Sequence, residues 1–253
     1  MADQVDYRIH GDDLQMVEII LDPGEGVRAE TGTMTFMEDG IEMETSTGGG
    51  FLKGLKRAFA GESFFITTFL NRGQRRASVA FAAPYPGKIV SLDLTAEGGS
   101  FICQRDAYLC SAQGIDVTVA FSKRLGAGLF GGEGFVLQRL EGKGLAFIHA
   151  GGTVLEKQLA AGETLRVDSG CIVGFSTTVD YNIQLMKGFK NMLFGGEGLF
   201  LATLRGPGKV YLQSLPLSRL ADRILAATHK QVGEKKGVDG IGGDLLGNLL
   251  SGS

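Results

Sequence analysis

The chain has 253 residues, a net charge of −3 and an apolar share of 43%, which is enough to bury a sizeable core. The acidic balance argues against a general nucleic-acid-binding protein, because such proteins carry a strong positive excess. Forty glycines, about twice the usual share of ~7%, are spread along the chain at turn-like spacings. They indicate turns between many short strands.

The N-terminus, the length of the apolar runs and the cysteines indicate where in the cell the protein is found. The N-terminus has acids where a signal peptide has bases, and no apolar run approaches the ~20 residues that span a bilayer. Cys103, Cys110 and Cys171 lack a metal-ligand spacing, so we expect buried free thiols in a reducing compartment. Together these features predict a cytoplasmic protein.

Three related units follow an N-terminal segment, 1–15, and are predicted over 16–97, 98–161 and 162–217. The motif Leu-Phe-Gly-Gly-Glu-Gly begins at Leu129 and recurs 64 residues later. A weaker copy lies at residues 59–64, and further matches between the second and third units keep one register without a gap. The repeat predicts an arrangement of three similar units.

Strand patterns fill each unit. After an opening glycine, Gly24, Gly98 or Gly162, apolar residues alternate, as in a strand with one buried face. The alternation includes Met34, Tyr108 and Ile172, ten residues after these glycines, and we expect them to be buried. The clearest predicted strands are 34–37, 64–70, 77–82, 135–140, 145–149, 199–204 and 210–215. Extra residues at 71–74 predict an added hairpin in the first unit. Short strands without intervening helices predict an all-β sandwich or barrel.

A single helix is predicted at 218–232, after the last unit. Ser218 is a candidate N-cap and Gly233 a candidate stop. The apolar stripe of this helix consists of Leu217, Leu220, Ile224 and Leu225. We expect it to pack against the β core, and we expect the glycine-rich tail, 233–253, to fray.

Motifs with possible chemistry favour structural interpretations. Residues 126–131 match Gly-x-Gly-x-x-Gly, but a strand pattern follows where a dinucleotide site needs a helix. Gly87, Gly142 and Gly208 each precede a lysine without the Ser or Thr of a phosphate loop, so we interpret them as hairpin turns. We therefore predict no bound cofactor.

Titratable residues form no catalytic or metal-binding pattern. The motif glutamates Glu62, Glu133 and Glu197 are expected to satisfy turn amides or to pair with a base, although three acids could also serve as ligands. The three histidines are His10, His149 and His229, and they occupy unrelated positions in the units. We predict no metal site and no catalytic residue.

The segments ahead of each motif carry the one functional signal. Each combines bulky apolar residues with two or three bases and no acid. They are either ordinary connections with snorkelling lysines or an apolar-basic face that binds a partner, another subunit or an anionic membrane surface. The candidate surface consists of Phe51, Leu52, Lys53, Leu55, Lys56, Arg57, Lys123, Arg124, Leu125, Met186, Lys187, Phe189 and Lys190.

Over residues 16–230 the chain resembles bacterial relatives of the altered-inheritance-of-mitochondria family. The resemblance lies in the Gly-Glu-Gly-Phe-type motifs, the three β units, Pro-Leu-Ser at 216–218 and the glycine-rich tail. It implies a fold like the tryptophan RNA-binding attenuation protein, with shortened, jelly-roll-like double-stranded β-helix units in a pseudo-threefold arrangement. Mitochondrial members are associated with inner-membrane organisation, and the resemblance supplies no catalytic residues.

The leading hypothesis is a non-enzymatic scaffold or interaction protein that forms homo-oligomers and associates with membranes. It rests on repeated architecture without a catalytic constellation. A cupin-like small-molecule-binding module or enzyme is the alternative, and it needs histidines and carboxylates that converge inside a barrel. Oligonucleotide binding is a third possibility, against which the acidic balance argues.

Overall fold

A computed structural model of the protein describes residues 5–45, 66–123, 135–185 and 200–235. These residues are predominantly β, with nineteen strands and one α-helix, α1, at Leu217–Lys235. The strands are β1 Asp6–His10, β2 Met16–Leu21, β3 Gly26–Glu30, β4 Met34–Met37, β5 Ile41–Thr45, β6 Ile66–Asn71, β7 Ala77–Ala82, β8 Gly87–Asp93, β9 Ser100–Gln104, β10 Tyr108–Ala112, β11 Asp116–Lys123, β12 Phe135–Glu141, β13 Leu145–Gly151, β14 Val154–Leu159, β15 Thr164–Asp168, β16 Ile172–Ser176, β17 Asp180–Leu185, β18 Phe200–Arg205 and β19 Gly208–Gln213. The all-β prediction is confirmed, and β4 and β7 have the predicted bounds.

The described strands form four antiparallel sheets. Two six-stranded sheets have the orders β5-β6-β3-β10-β13-β8 and β11-β12-β9-β16-β19-β14. A four-stranded sheet has the order β1-β2-β7-β4, and a three-stranded sheet has the order β15-β18-β17. Because consecutive strands such as β6 and β7 lie in different sheets, the chain crosses between sheets instead of running as a simple meander.

One pairing scheme recurs along the chain. β2 pairs with β7, β8 with β13 and β14 with β19, while β3 pairs with β6, β9 with β12 and β15 with β18. The pairs β3–β10 and β9–β16 also share a register, since Cys110 lies opposite Ala29 and Gly174 lies opposite Cys103. The second six-stranded sheet therefore repeats the strand order of the first, six strands later in the chain.

The opening glycines hold the turns that the sequence predicts. Gly24, Gly98 and Gly162 have φ of 87°, 78° and 80°, a left-handed conformation that glycine adopts without strain. β3, β9 and β15 each begin two residues after one of these glycines. A side chain at these positions would be strained by the backbone itself, not by a neighbour.

Apolar side chains from the strands fill the core, whose bulkiest members are Phe81, Phe101, Phe135, Phe147 and Phe175. Ten residues after the opening glycine, Tyr108 and Ile172 are buried, as the alternation predicts. The corresponding Met34 is 37% exposed, so its predicted burial is wrong. Met34 belongs to β4, which has a strand neighbour on only one side among the described strands.

The predicted hairpin at 71–74 is wrong. Those residues connect β6 with β7, which lie in different sheets and do not pair with each other. The Asn71 side chain donates to the carbonyls of Leu21 and Arg75 at 2.8 and 2.9 Å, and its oxygen accepts from the Gly73 amide at 2.9 Å. These bonds shape a tight crossing between sheets.

The Gly-Lys pairs are not hairpin turns either. Gly142 lies between β12 and β13, which belong to different sheets, whereas a hairpin needs its two strands to pair. Gly87 and Gly208 are the first residues of β8 and β19. A Cβ at Gly142 would clash with the Gly114 carbonyl, so this glycine allows two connections to approach closely.

Helix α1 is longer than predicted. It runs through Gly233, and Ser218 lies inside its first turn instead of capping it. One glycine costs a helix only about 1 kcal/mol relative to alanine, which did not end the helix here. The expectation that the helix packs on the β core stays a prediction. Among the described residues no helix is both long and apolar enough to cross a bilayer.

Candidate functional site

The apolar-basic surface predicted from the sequence lies almost entirely outside the described residues. Of its members only Lys123 lies within them, as the last residue of β11, where its backbone is opposite Phe135 of β12. The motif glutamates Glu62, Glu133 and Glu197 also lie outside them. The role of both sets stays a prediction.

The strands that flank these segments share one arrangement. β5 pairs with β6, β11 with β12 and β17 with β18, so each segment connects two antiparallel neighbours. Near the segments, Thr45 lies opposite Thr67, and Leu185 lies opposite Phe200. The described strands on either side of each apolar-basic segment are therefore antiparallel neighbours.

Ionisable side chains gather where β3 ends. Glu30, the last residue of β3, lies largely buried near Asp106 and Arg105. Burial, reinforced by the Asp106 charge and opposed by Arg105, raises the pKa of Glu30 to about 7. Arg105 donates from Nε and Nη2 to Asp106 Oδ1, both at 3.2 Å. Glu30 therefore gains and loses its proton near neutral pH, a property shared with catalytic carboxyls.

Tyr85 and His149 extend this cluster. The Tyr85 hydroxyl donates to the Asp106 carbonyl at 3.4 Å, and the two rings pack edge to face with centroids 4.5 Å apart. His149 is 2% exposed, and its Nδ1 has no hydrogen-bond partner among the described residues. Burial lowers the pKa of His149 to about 4, so the imidazole is neutral. A Cβ at Gly87 would collide with this ring, so only glycine fits there.

The cysteines are unreactive in this setting. Cys103 and Cys110 are buried free thiols, as predicted, whereas Cys171 is partly exposed. Burial raises the pKa of Cys103 and Cys110, which keeps both thiols protonated and poorly nucleophilic. In the described part of the chain, no group of three His, Cys, Asp or Glu could hold a metal ion. His10 instead bonds Glu18 at 2.8 Å.

Sequence reasoning missed the cluster around Glu30. A signal was present, since the sixth residue after each opening glycine is polar: Glu30, Gln104 and Asp168. The convergence with Tyr85 and His149 had no such signal, because it joins residues far apart in the chain.

The edge formed by β4 carries three exposed apolar side chains on one short strand. β4 ends the four-stranded sheet, and β15 ends the three-stranded sheet. By contrast β10 and β16, which follow the other two opening glycines at the same spacing, are paired on both sides and buried throughout. On β4, Met34 and Phe36 are each 37% exposed and Met37 is 41% exposed. A free strand edge thus coincides with exposed apolar side chains.

Comparison with known proteins identifies the family. The family model described as "Mitochondrial biogenesis AIM24" matches residues 7–215, most of the chain and all of the strands except part of β1. The chain belongs to the AIM24 family. The AIM24 match ends before helix α1, so the family's shared region is the β part of the molecule.

Two streptococcal proteins are similar to this AIM24 chain. An uncharacterized protein of Streptococcus pyogenes serotype M6 is 31% identical over 214 residues, which cover 81% of this chain and 84% of that protein. A crystal structure of a Streptococcus pyogenes protein aligns with a TM-score of 0.73 and 27% identity, over 88% of this chain and 99% of that one. The AIM24 fold described above therefore has an experimental counterpart.

Proposed function

We propose that the protein is a non-enzymatic, cytoplasmic scaffold or interaction protein that binds a second copy of itself, another protein or an anionic membrane surface. The observation that carries this proposal is the edge of β4, which has no second strand neighbour among the described strands and bears three exposed apolar side chains. An edge strand can pair with a strand of another chain, and exposed apolar side chains on such an edge favour a partner that covers them.

The body plan that we propose has three units, 16–97, 98–161 and 162–217, in a pseudo-threefold arrangement of shortened double-stranded β-helices, as the attenuation-protein likeness implies. The recurring strand pairs and the three left-handed opening glycines support it. Under this plan β4, β10 and β16 are one strand in three copies, and β3, β9 and β15 are another.

The apolar-basic segments are proposed as the membrane-facing or protein-facing part of the scaffold. Each follows one strand and precedes the antiparallel partner of that strand in the sequence, and this shared position in the three units supports a shared role. Bulky apolar residues among bases suit an anionic lipid surface, because the bases are attracted to the headgroups while the apolar groups insert.

Co-sedimentation with vesicles tests the membrane arm of the proposal. The protein is expected to bind phosphatidylserine vesicles at low salt, to release them as salt rises, and to ignore phosphatidylcholine vesicles. The variant K53Q/K56Q/R57Q should bind about a hundredfold more weakly, at about 1 kcal/mol for each base. The control R8Q/K143Q/K157Q removes the same charge from exposed positions of the described strands and turns and should bind normally.

Analytical ultracentrifugation of the same preparations tests the self-association arm. A concentration-dependent mass above that of one chain supports the scaffold. A strict monomer that also fails to bind anionic vesicles would remove self-association and membrane binding from the proposal and leave only binding to another protein.

A cupin-like small-molecule-binding module or enzyme is the second candidate. It is favoured by Glu30, which has a pKa of about 7 and lies near Asp106 and Tyr85. The Tyr85 ring in turn packs against the neutral imidazole of His149. Metal analysis of freshly purified protein separates the candidates, because cupin-type chemistry depends on a bound ion. About one tightly held ion per chain would favour the second candidate and count against the scaffold.

A further inference from the structure

We propose that β4 of one copy of the chain pairs, antiparallel, with β15 of a second copy. The proposal rests on the scaffold function and deepens it, since it names the partner and the residues that meet. It makes between two copies the strand junction that the chain already makes twice within itself.

The two internal junctions show which strand types fit each other. β10 pairs with β3, and β16 pairs with β9, so a strand that begins ten residues after one opening glycine joins a strand that begins two residues after another. A third junction of this kind would join β4 to β15. Among the described strands no such pair forms, and both strands stand at the ends of their sheets.

Burial follows the same division. β10 and β16 are buried at every position, whereas every residue of β4 is exposed. β15 has one buried residue, Val167, while β9 has four. β4 and β15 thus expose side chains at positions that are buried in the equivalent paired strands β10, β16 and β9.

The internal junctions also fix the expected register. Cys110 lies opposite Ala29, and Gly174 lies opposite Cys103. In each case the first residue stands twelve after its opening glycine and the second stands five after its own. Each of the three strands also has a register shift at the same place, between Tyr108 and Cys110 in β10, with matching shifts in β16 and β4.

Applied to the free edges, this register places Phe36 opposite Val167 of the second copy and Met37 opposite Arg166. An apolar pair would then form where Phe36 is now 37% exposed. Arg166 is exposed on β15, so the junction can reach it without opening the core. The pairing is between different strands, so each copy contributes one β4 and one β15, and the angle between copies decides whether the contacts close into a ring or continue as a filament.

A second copy is the occupant that the observations favour. A strand partner of other sequence would need to match the edge of β4 by chance, whereas β15 is the same strand type that β10 and β16 already accept within this chain. Each copy also leaves both halves of the junction free, so one contact satisfies two exposed edges.

Disulfide trapping tests the register. Directly opposed residues in an antiparallel pair have Cα atoms about 4.5–5.5 Å apart, within disulfide reach. In a full-length C171S background, Met37→Cys and Arg166→Cys are made in separate chains, mixed and oxidised. Cys103 and Cys110 stay in place because they are buried. The mixture is expected to give at least tenfold more disulfide-linked dimer than either variant alone.

A matched control uses Met43→Cys mixed with Arg166→Cys. Met43 is exposed, like Met37, but lies on β5, so this mixture should give no dimer above background. Phe36→Lys in the free chain should lower the mass measured by sedimentation at ~50 μM to that of a monomer, because a charge replaces the apolar contact.

Three outcomes overturn the inference. Cross-linking of Met37→Cys with itself would show that β4 pairs with β4. A disulfide within single chains that carry both Met37→Cys and Arg166→Cys, with none in the mixture of the single variants, would show that the chain closes its own junction. An oligomer that neither the mixture traps nor Phe36→Lys weakens would leave the scaffold standing and remove this interface from it.

Discussion

The strand junctions β3–β10 and β9–β16 differ from the free edges of β4 and β15 in one respect, the presence of a partner strand. The strands follow their opening glycines at equal spacings, and they share the same register shift. Yet β10 and β16 are buried at every position and β4 at none. Burial in this fold is therefore set by non-local strand pairing, not by the local pattern of apolar residues.

The largest expected effect comes from removing one aromatic ring on each side of this comparison. Phe175→Ala, in buried β16, should lower the free energy of unfolding by about 3–5 kcal/mol, because it leaves a cavity in a core that cannot fully collapse. Phe36→Ala, in exposed β4, should cost about 1 kcal/mol or less at low protein concentration. Urea denaturation of dilute protein measures both.

Equal losses from the two substitutions would contradict the comparison, since they would show that Phe36 is buried in the isolated chain. Repeating the denaturation at high protein concentration tests whether a second copy covers β4. If a second copy covers β4, the cost of Phe36→Ala should grow with protein concentration, whereas that of Phe175→Ala should not.

Glu30→Gln tests a residue at the end of the closed β3–β10 junction. The carboxyl titrates near 4.5 when unfolded and near 7 when folded. The stability that its protonated form contributes is therefore fully present below pH 4.5 and is lost as pH rises through 7. Above pH 7 the glutamine variant should therefore exceed the wild type by about 3 kcal/mol, and near pH 4 the two should be equal. Gln104, at the same position after its glycine, is the natural precedent.

Urea denaturation at pH 4, 6 and 8 checks this prediction. Glu42→Gln, which removes an exposed carboxylate on β5, is the matched control and should show no comparable pH dependence. A constant difference between Glu30→Gln and the wild type at all three pH values would show that burial does not control this carboxyl.

The same comparison explains what the sequence predicts well. Strands β4 and β7 have the predicted bounds, and the opening glycines have the predicted turns, because alternation and left-handed backbone are local properties. Residues 71–74 were misassigned to a hairpin, since the sequence does not show that β6 and β7 join different sheets. The predicted burial of Met34 is wrong for the same reason, because the sequence Met-Thr-Phe-Met is as apolar as that of a buried strand.

For the candidate site, too, the local features can be predicted from the sequence and the long-range contacts cannot. A polar residue six after each opening glycine was visible in the sequence, but its meaning was not. Burial raises the pKa of Glu30, reinforced by Asp106 and opposed by Arg105, which lie more than seventy residues further along the chain. Tyr85 and His149 join them only through tertiary packing. The apolar-basic segments are visible in the sequence, and co-sedimentation with vesicles tests their proposed role.

His149→Gln probes β13, the partner of β10. The imidazole titrates near 6.5 when unfolded and near 4 when folded, so the wild type loses stability as pH falls from 6.5 towards 4. The loss at pH 4.5 relative to pH 7 should be about 2–3 kcal/mol larger in the wild type than in the variant. Gln213, at the same position after its glycine, accepts from the Gly151 amide at 2.8 Å, so glutamine suits this type of position.

Thermal unfolding at pH 4.5 and 7 measures that difference. His10→Gln is the control, because His10 is partly exposed and bonds Glu18 at the surface. An acid-induced loss that persists in His149→Gln would place its origin elsewhere.

The smallest expected effect concerns an ion pair that only one junction has. Lys209 Nζ donates to Glu97 at 2.6 Å, and the Ser176 hydroxyl donates to the same carboxylate at 3.1 Å, which ties the turn before β9 to β16 and β19. The residues before the other two opening glycines, Pro23 and Ala161, carry no carboxylate. Glu97→Gln should therefore weaken the closed β9–β16 junction by about 0.5–1 kcal/mol, less at high salt. Hydrogen exchange should show faster opening of β16 and unchanged exchange in β4, and equal changes in both strands would contradict a local role for this pair.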